Sequence, residues 1–164
     1  MSAPDLTAVI STHRRPGPLR EAIAAIRQQD ADAVIETVVV FDKEEPDTSL
    51  DSDDPRRPVR VVPNHRTPGL PGSRNSGVDA ARAQVVGFCD DDDLWKPAKA
   101  RLQLELMART GAPTVGCAIE VVTADRVVPR PCTGSAARIE DLVRSRIPEA
   151  YMSTVLVDRD AFLG

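Results

Sequence analysis

The sequence is poor in several things. Aromatic residues make up 3% of its 164 positions. Its basic residues are dispersed with no aromatics between them, which argues against general nucleic-acid binding. The net charge is −4 and the pI near 5.2, so any recognition of an anionic ligand must be local. No apolar run approaches the roughly 20 residues of a membrane span, and the N-terminus lacks the basic and apolar regions of a secretory leader. A cytoplasmic protein is expected, with peripheral membrane association left open. Cysteine is scarce as well. Cys89, Cys117 and Cys132 are odd in number, widely spaced and without nearby histidine partners, which suits free thiols in a reducing compartment and gives no zinc framework.

What is present is enough for one packed domain: 41% of the residues are hydrophobic, and the chain is too short for two ordinary domains. A single domain over 1–164 is expected. "LTAVIS" (6–11) reads as a strand and "RRPGPLREAIAAIRQQ" as a helix, with Leu19, Ile23 and Ile26 at helical spacing and Pro18 near its start. "IETVVVFD" (35–42) and "VRVV" (59–62) are further strands, and the proline-broken, charged segment between them predicts a mobile surface loop that does not pack. "PGSRNSGVDAARAQ" (71–84) predicts a second helix and "VVGFC" a fourth strand. Trp95, Ala98, Leu102 and Leu106 predict one face of a third helix, ending near Gly111. "TVGCAIEVVTADRVVPR" predicts two strands around a turn at "TADR", "RIEDLVRS" a short helix, and "YMSTVLV" a last strand. Strands alternating with helices imply an α/β sheet whose ligands sit at the carboxyl ends of its strands.

Asp90, Asp91, Asp92 and Asp93 follow the fourth strand directly. Two unit charges about 4 Å apart repel by roughly 1 to 4 kcal/mol, depending on the dielectric, so four in a row need a reason. If the strand geometry continues, Asp90 and Asp92 point one way and Asp91 and Asp93 the other. Such a pair suits Mg²⁺ or Mn²⁺, which usually take one or two carboxylates and complete their shell with water and phosphate oxygens. The alternative is a solvated acidic turn in which Asp92 or Asp93 caps the next helix.

Other residues converge on the same rim. "GLPGSRNSG" (69–77) places three glycines with Ser73, Arg74 and Asn75 at a loop-to-helix junction, where backbone can approach a ligand and one planar cation can grip a phosphate. "STHRRP" follows the first strand, so His13, Arg14 and Arg15 reach the same edge, and Asp42 ends the second strand. "DSDD" (51–54) has no apolar strand before it and reads as a solvated loop, while "DRD" (158–160) follows "TVLV" and stays a weaker candidate.

This combination resembles family 2 of the glycosyltransferases, nucleotide-sugar-dependent enzymes of the GT-A fold. The likeness runs through "AVISTHRRPGPLREAI", "VVVFD", "GLPGSRNSGVDAARAQVVGFCDDDDLWKP" and "STVLVDRDAFLG", and thus covers most of the chain. The resemblance implies a Rossmann-like, mostly parallel mixed sheet flanked by helices. It also implies that Ser11 and His13 lie at the nucleotide pocket, that Asp42 recognises the base, that Asp91 lies near the ribose, and that Arg74 and Asn75 shape the donor site. Asp92 would be the main contact to a Mg²⁺ or Mn²⁺ ion on the diphosphate, with Asp90 the other end of the D-x-D motif. Where many relatives carry two acids followed by glycine and serine after strand two, this chain has "FDKEE".

The expected activity is transfer of a sugar from a nucleotide diphosphate sugar to an acceptor hydroxyl, inverting and metal-assisted. The general base belongs, by the resemblance, to an acidic motif beyond Gly164, so the sequence looks like the donor-binding part of a longer enzyme. The competing reading is a catalytically incomplete nucleotide-sugar-binding domain. A sugar-phosphate nucleotidyltransferase fits less well, because "STHRRP" stands where its glycine-rich loop would be. A D-x-D phosphatase also fits less well, because its nucleophile strand opens the domain.

Overall fold

The computed structural model describes residues 3–131 and 151–164; Cys132 and the helix expected over 138–145 lie outside them. Strands β1 (Leu6–Thr12), β2 (Ile35–Phe41), β3 (Val59–Pro63), β4 (Val85–Asp90), β5 (Thr114–Val115) and β8 (Leu156–Asp158) form one six-stranded sheet in the order β3-β2-β1-β4-β8-β5. β1 to β4 run parallel, whereas β8 is antiparallel to both β4 and β5. β6 (Ile119–Val122) and β7 (Val127–Arg130) pair as the expected hairpin.

Every residue of β1 and β2 is buried, as expected of central parallel strands covered on both faces. Alternation along β1 divides the core. Leu6, Ala8 and Ile10 belong to one apolar cluster with Leu19, Ile23 and Ile26 of helix α1 (Pro16–Arg27), while Val9 belongs to another with Val78 of helix α2 (Leu70–Ala80), Val86 and Phe88. Burying an aliphatic side chain such as Ile26 contributes roughly 1.5–3 kcal/mol. Pro16 opens α1, where its missing N–H costs nothing.

α2 is built differently, from small residues. A Cβ on Gly77 would come within 2.2 Å of a Val9 methyl, and one on Gly72 within 1.7 Å of the Thr67 carbonyl oxygen. Glycine at these positions lets the helix and the loop before it lie directly on the sheet, which brings Arg74 to the strand ends.

Three expectations are corrected. The segment between β2 and β3 is tied down. Leu50, ending a 3₁₀ turn, packs against the core, Ser52 bridges to Val59, and the Asp51 carboxylate accepts the Val61 N–H at 2.9 Å. Its aspartates satisfy backbone donors, which the polar composition concealed. The third helix, α3 (Lys99–Thr110), buries Ala100 and Gln103 rather than Leu102, which is 54% exposed. Gln103 donates to the Val115 and Thr154 carbonyls at 3.1 and 2.8 Å, so a polar residue occupies the inward face because it bonds backbone carbonyls there. Finally, β4 stops at Asp90 and the chain turns, with the Asp93 N–H donating to the Asp90 carbonyl at 3.0 Å. The strand alternation expected through Asp93 therefore ends with the strand.

Candidate functional site

Because β1 to β4 are parallel, their carboxyl ends share one rim of the sheet, and the register sets Ser11 opposite Asp90. The turn that carries the acids is anchored beneath. Trp95 is 4% exposed and donates its indole N–H to the Phe88 carbonyl at 3.3 Å. Gly87 leaves room for that ring, since a Cβ there would lie 2.8 Å from it. The Cys89 thiol donates to the Asp93 carbonyl at 3.4 Å.

The acids are not helix caps. α3 begins at Lys99 after Ala98, without a side-chain cap; Gln29 from the end of α1 accepts the Ala100 N–H at 2.9 Å instead. Asp91 is buried, accepting the Thr12 hydroxyl at 2.8 Å and an Arg15 guanidinium nitrogen at 3.1 Å. The same nitrogen of Arg15 lies 2.6 Å from Asp92, which is exposed. The hydrogen bonds it donates to Asp92 and then to Asp91 hold Arg15 more firmly protonated than a free arginine. Asp90 accepts from Arg74 at 2.6 Å, and its N–H donates to the Ser153 hydroxyl at 3.0 Å. Asp93 is shifted upward, first by desolvation and further by the charges of Asp90 and Asp92, against the opposing Ser153 hydroxyl.

A second group sits at the end of β2. The Asp42 carboxylate accepts the Asn64 side-chain amide at 2.8 Å and the Gly69 N–H at 3.0 Å; the Asn64 bond is the main cause that holds it below the usual carboxylate range. Asn64 in turn accepts the Ser76 hydroxyl at 2.7 Å, which fixes this loop to α2. His13 is exposed, with Nδ1 2.7 Å from the Asp42 carbonyl. A carbonyl only accepts, so Nδ1 carries the proton. Asn75 stands beside Arg74, half-buried, with no side-chain hydrogen bond among the described residues.

Two buried hydroxyls among the described residues remain without partners. Ser11 and Ser73 are 9% and 0% exposed, and the Oγ of each is buried with no hydrogen bond. A buried hydroxyl left unbonded costs about 1–3 kcal/mol, so such a pair at one rim is what a polar ligand would relieve.

The structure thus brings Asp90, Asp91 and Asp92 together with Arg15 and Arg74, and sets Asp42 and His13 in contact through the backbone carbonyl of Asp42. It does not bring in Asp158 or Asp160. β8 runs antiparallel to β4 and pairs Asp158 with Val85, at the opposite end of the sheet, where Asp158 caps the short terminal helix through the Asp160 and Ala161 N–H groups, each at 3.0 Å. Sequence reasoning missed Thr12, Asn64 and Ser153 as supports. Thr12 had a usable signal, since it ends an apolar strand at the ligand-binding edge; Asn64 and Ser153 became visible only once distant segments met.

No group of three or more His, Cys, Asp or Glu residues is placed to hold a metal among the described residues. The acids fit a cation that takes one or two carboxylates and receives its remaining oxygens from substrate and water, and they do not fit an all-protein cage.

Comparison with known proteins decides the family. Residues 7–162 match the family described as Glycosyl transferase family 2. The chain belongs to that family. Among curated relatives, the succinoglycan biosynthesis protein ExoO of Rhizobium meliloti is 30% identical over 125 residues, covering 74% of this chain and 35% of the relative. The GalNAc(5)-diNAcBac-PP-undecaprenol beta-1,3-glucosyltransferase of Campylobacter jejuni is 34% identical over 95 residues, covering 55% of this chain and 30% of the relative. The chain therefore spans about a third of the length of the curated family members it matches. Among solved structures, S. aureus TarS 1–349 in complex with UDP superposes with a TM-score of 0.75 at 18% identity, over 97% of this chain and 48% of TarS 1–349. That likeness bears out the expected GT-A architecture, a mixed, mostly parallel sheet flanked by helices. No helix among the described residues is long and apolar enough to cross a membrane.

Proposed function

We propose that this family 2 chain is the donor-binding portion of an inverting glycosyltransferase that takes a nucleoside diphosphate sugar, aided by Mg²⁺ or Mn²⁺, and passes the sugar to an acceptor hydroxyl. The observation that carries the reading is the rim itself: three carboxylates, two arginines and two unbonded buried hydroxyls gathered where parallel strands end. Arg74 is the phosphate-gripping cation, held ready by Asp90. Asp92, the most exposed acid of the D-x-D segment, is the principal metal contact and Asp90 the second. Asp91, fixed by Thr12, is placed for the ribose. Ser11, His13 and Asp42 line the nucleoside end, with Asn75 beside the diphosphate. A bound divalent cation would offset charge on the departing diphosphate. TarS 1–349 has also been crystallised with UDP-GlcNAc, which favours a uridine nucleotide as the first probe.

Calorimetric titration with UDP, with and without Mn²⁺, tests the reading on the wild type and on Asp92→Ala. Binding is expected to tighten at least tenfold with Mn²⁺ in the wild type, and the Asp92→Ala variant is expected to lose that increment. Equal binding in the presence and absence of the cation, or an unaffected variant, overturns the metal role.

A further inference from the structure

Arg15 lies within 3.1 Å of Asp91 and 2.6 Å of Asp92 through one and the same nitrogen. It does not use the two-pronged grip of a guanidinium committed to a single carboxylate. Its side chain is 52% exposed, against 19% for Arg74 on Asp90. The base of the side chain, by contrast, is well fixed. Arg14 turns the backbone through a left-handed conformation at φ 57° and donates its N–H to Glu44 at 2.8 Å, and Pro16 follows with its ring-locked φ. A long, half-exposed arm on a fixed pivot therefore reaches over the acids.

Arg15 also lines a cavity of about 190 Å³ with Glu44, Glu45 and Asp47, and with Arg14 and Arg20. Asp47 is engaged by Arg20 and Glu44 by the Arg14 backbone, while Glu45 has no ion pair or hydrogen bond among the described residues. The arm thus borders a second group of acidic residues besides Asp91 and Asp92.

We propose that Arg15 is a displaceable counter-ion: it holds Asp91 and Asp92 in the unliganded protein, and a divalent cation arriving with the nucleotide drives it off toward the Glu44–Glu45 cavity. The inference rests on the donor-site reading above. A monovalent guanidinium on these acids neutralises their repulsion but opposes entry of a second cation. Free metal then binds weakly, and metal and nucleotide bind as a pair, because the diphosphate supplies the extra negative charge that tips the exchange. Arg15 is in this sense a positioning residue that couples the two ligands.

The test is direct Mn²⁺ binding, read from the loss of the free-ion electron paramagnetic resonance signal, for wild type, Arg15→Lys and Arg15→Gln, each with and without UDP. Without UDP, Arg15→Gln should bind Mn²⁺ roughly tenfold more tightly than the wild type, with Arg15→Lys close to the wild type because it keeps the opposing charge. With UDP the wild-type affinity should rise toward that of Arg15→Gln. The side-chain N–H resonance of Arg15 in the unmutated protein gives a second readout and should move when Mg²⁺ and UDP are added together. If Mn²⁺ and UDP bind normally but Arg15→Gln shows unchanged or weaker Mn²⁺ affinity, or the Arg15 resonance stays put, the counter-ion role is overturned and the donor site stands. If the wild type takes up no Mn²⁺ even with UDP, the donor-site reading falls and this inference with it.

Discussion

The two ends of the same parallel strands treat buried charge in opposite ways. At the amino end, Glu36 on β2 is fully buried, yet its carboxylate receives the Thr7 hydroxyl at 2.9 Å, the Arg60 guanidinium at 2.8 Å and the Arg82 N–H at 3.2 Å. Arg60 is further anchored on the Ala80 carbonyl at 2.6 Å, at the end of α2. At the carboxyl end, one half-exposed arginine serves two carboxylates while two buried hydroxyls have no partner. Acids and arginines occur at both ends, so residue type does not distinguish them. Completeness of hydrogen bonding separates the Glu36 carboxylate from the rim hydroxyls, although Arg57 and Arg159 near the amino end each leave a buried Nε unbonded among the described residues. A saturated network rigidifies the fold, whereas an unsaturated one leaves capacity for something that binds.

The comparison can be broken most severely from the amino end. Glu36→Ala leaves Arg60 with one anchor and removes the acceptor for Thr7 and Arg82, and removing one member of a buried pair typically costs about 3–5 kcal/mol. Thermal unfolding should fall by many degrees, while UDP affinity measured well below the new midpoint stays near that of the wild type. A loss of UDP affinity out of proportion to the folded fraction would show that the two ends are coupled rather than distinct.

Arg74→Ala probes the other end and should invert the pattern. Arg74 is carried by a helix whose glycines let it lie close against the sheet. Loss of one charge-assisted contact of about 1.5–3 kcal/mol predicts a roughly tenfold or larger fall in UDP affinity. The stability change should be small, because the remaining Asp90 carboxylate lies at the solvent edge and can be hydrated. If unfolding shifts as far as in Glu36→Ala, the rim pair is structural and its assignment to the donor fails.

How far this was legible in the sequence follows from the range of each interaction. The strands and α1 could be read locally, because apolar period and proline position act within one element. Asp90 to Asp92 and Arg74 could be read as a rim because strand ends can be placed before their neighbours are known. The partners could not. Thr12 and Asp91 are 79 positions apart, and neither residue type announces the other. Trp95 reads as the first residue of a helical stripe, yet it packs ahead of α3 beneath Gly87, because a glycine on the neighbouring strand makes room for it. "DRD" reads as a rim candidate from its apolar strand, and only the antiparallel direction of β8 sends it to the far end. Strand direction is set by the connection and its pairing partners, which no local pattern encodes.

The smallest effect is the most discriminating, because its sign differs between stability and binding. Ser11→Ala removes a buried hydroxyl that satisfies nothing in the protein, so the desolvation it imposes disappears with it. The expected result is an unfolding free energy unchanged or raised by up to about 1 kcal/mol, where most buried substitutions lower it. UDP affinity should move the other way, by roughly threefold to tenfold, if the nucleotide supplies the missing partner. A variant that loses stability and keeps affinity would place Ser11 with Glu36 among the groups that hold the sheet together. Ser73→Ala then separates the two hydroxyls: equal losses of affinity point to one shared ligand group, and a loss at Ser11 alone confines the ligand to the β1 side of the rim.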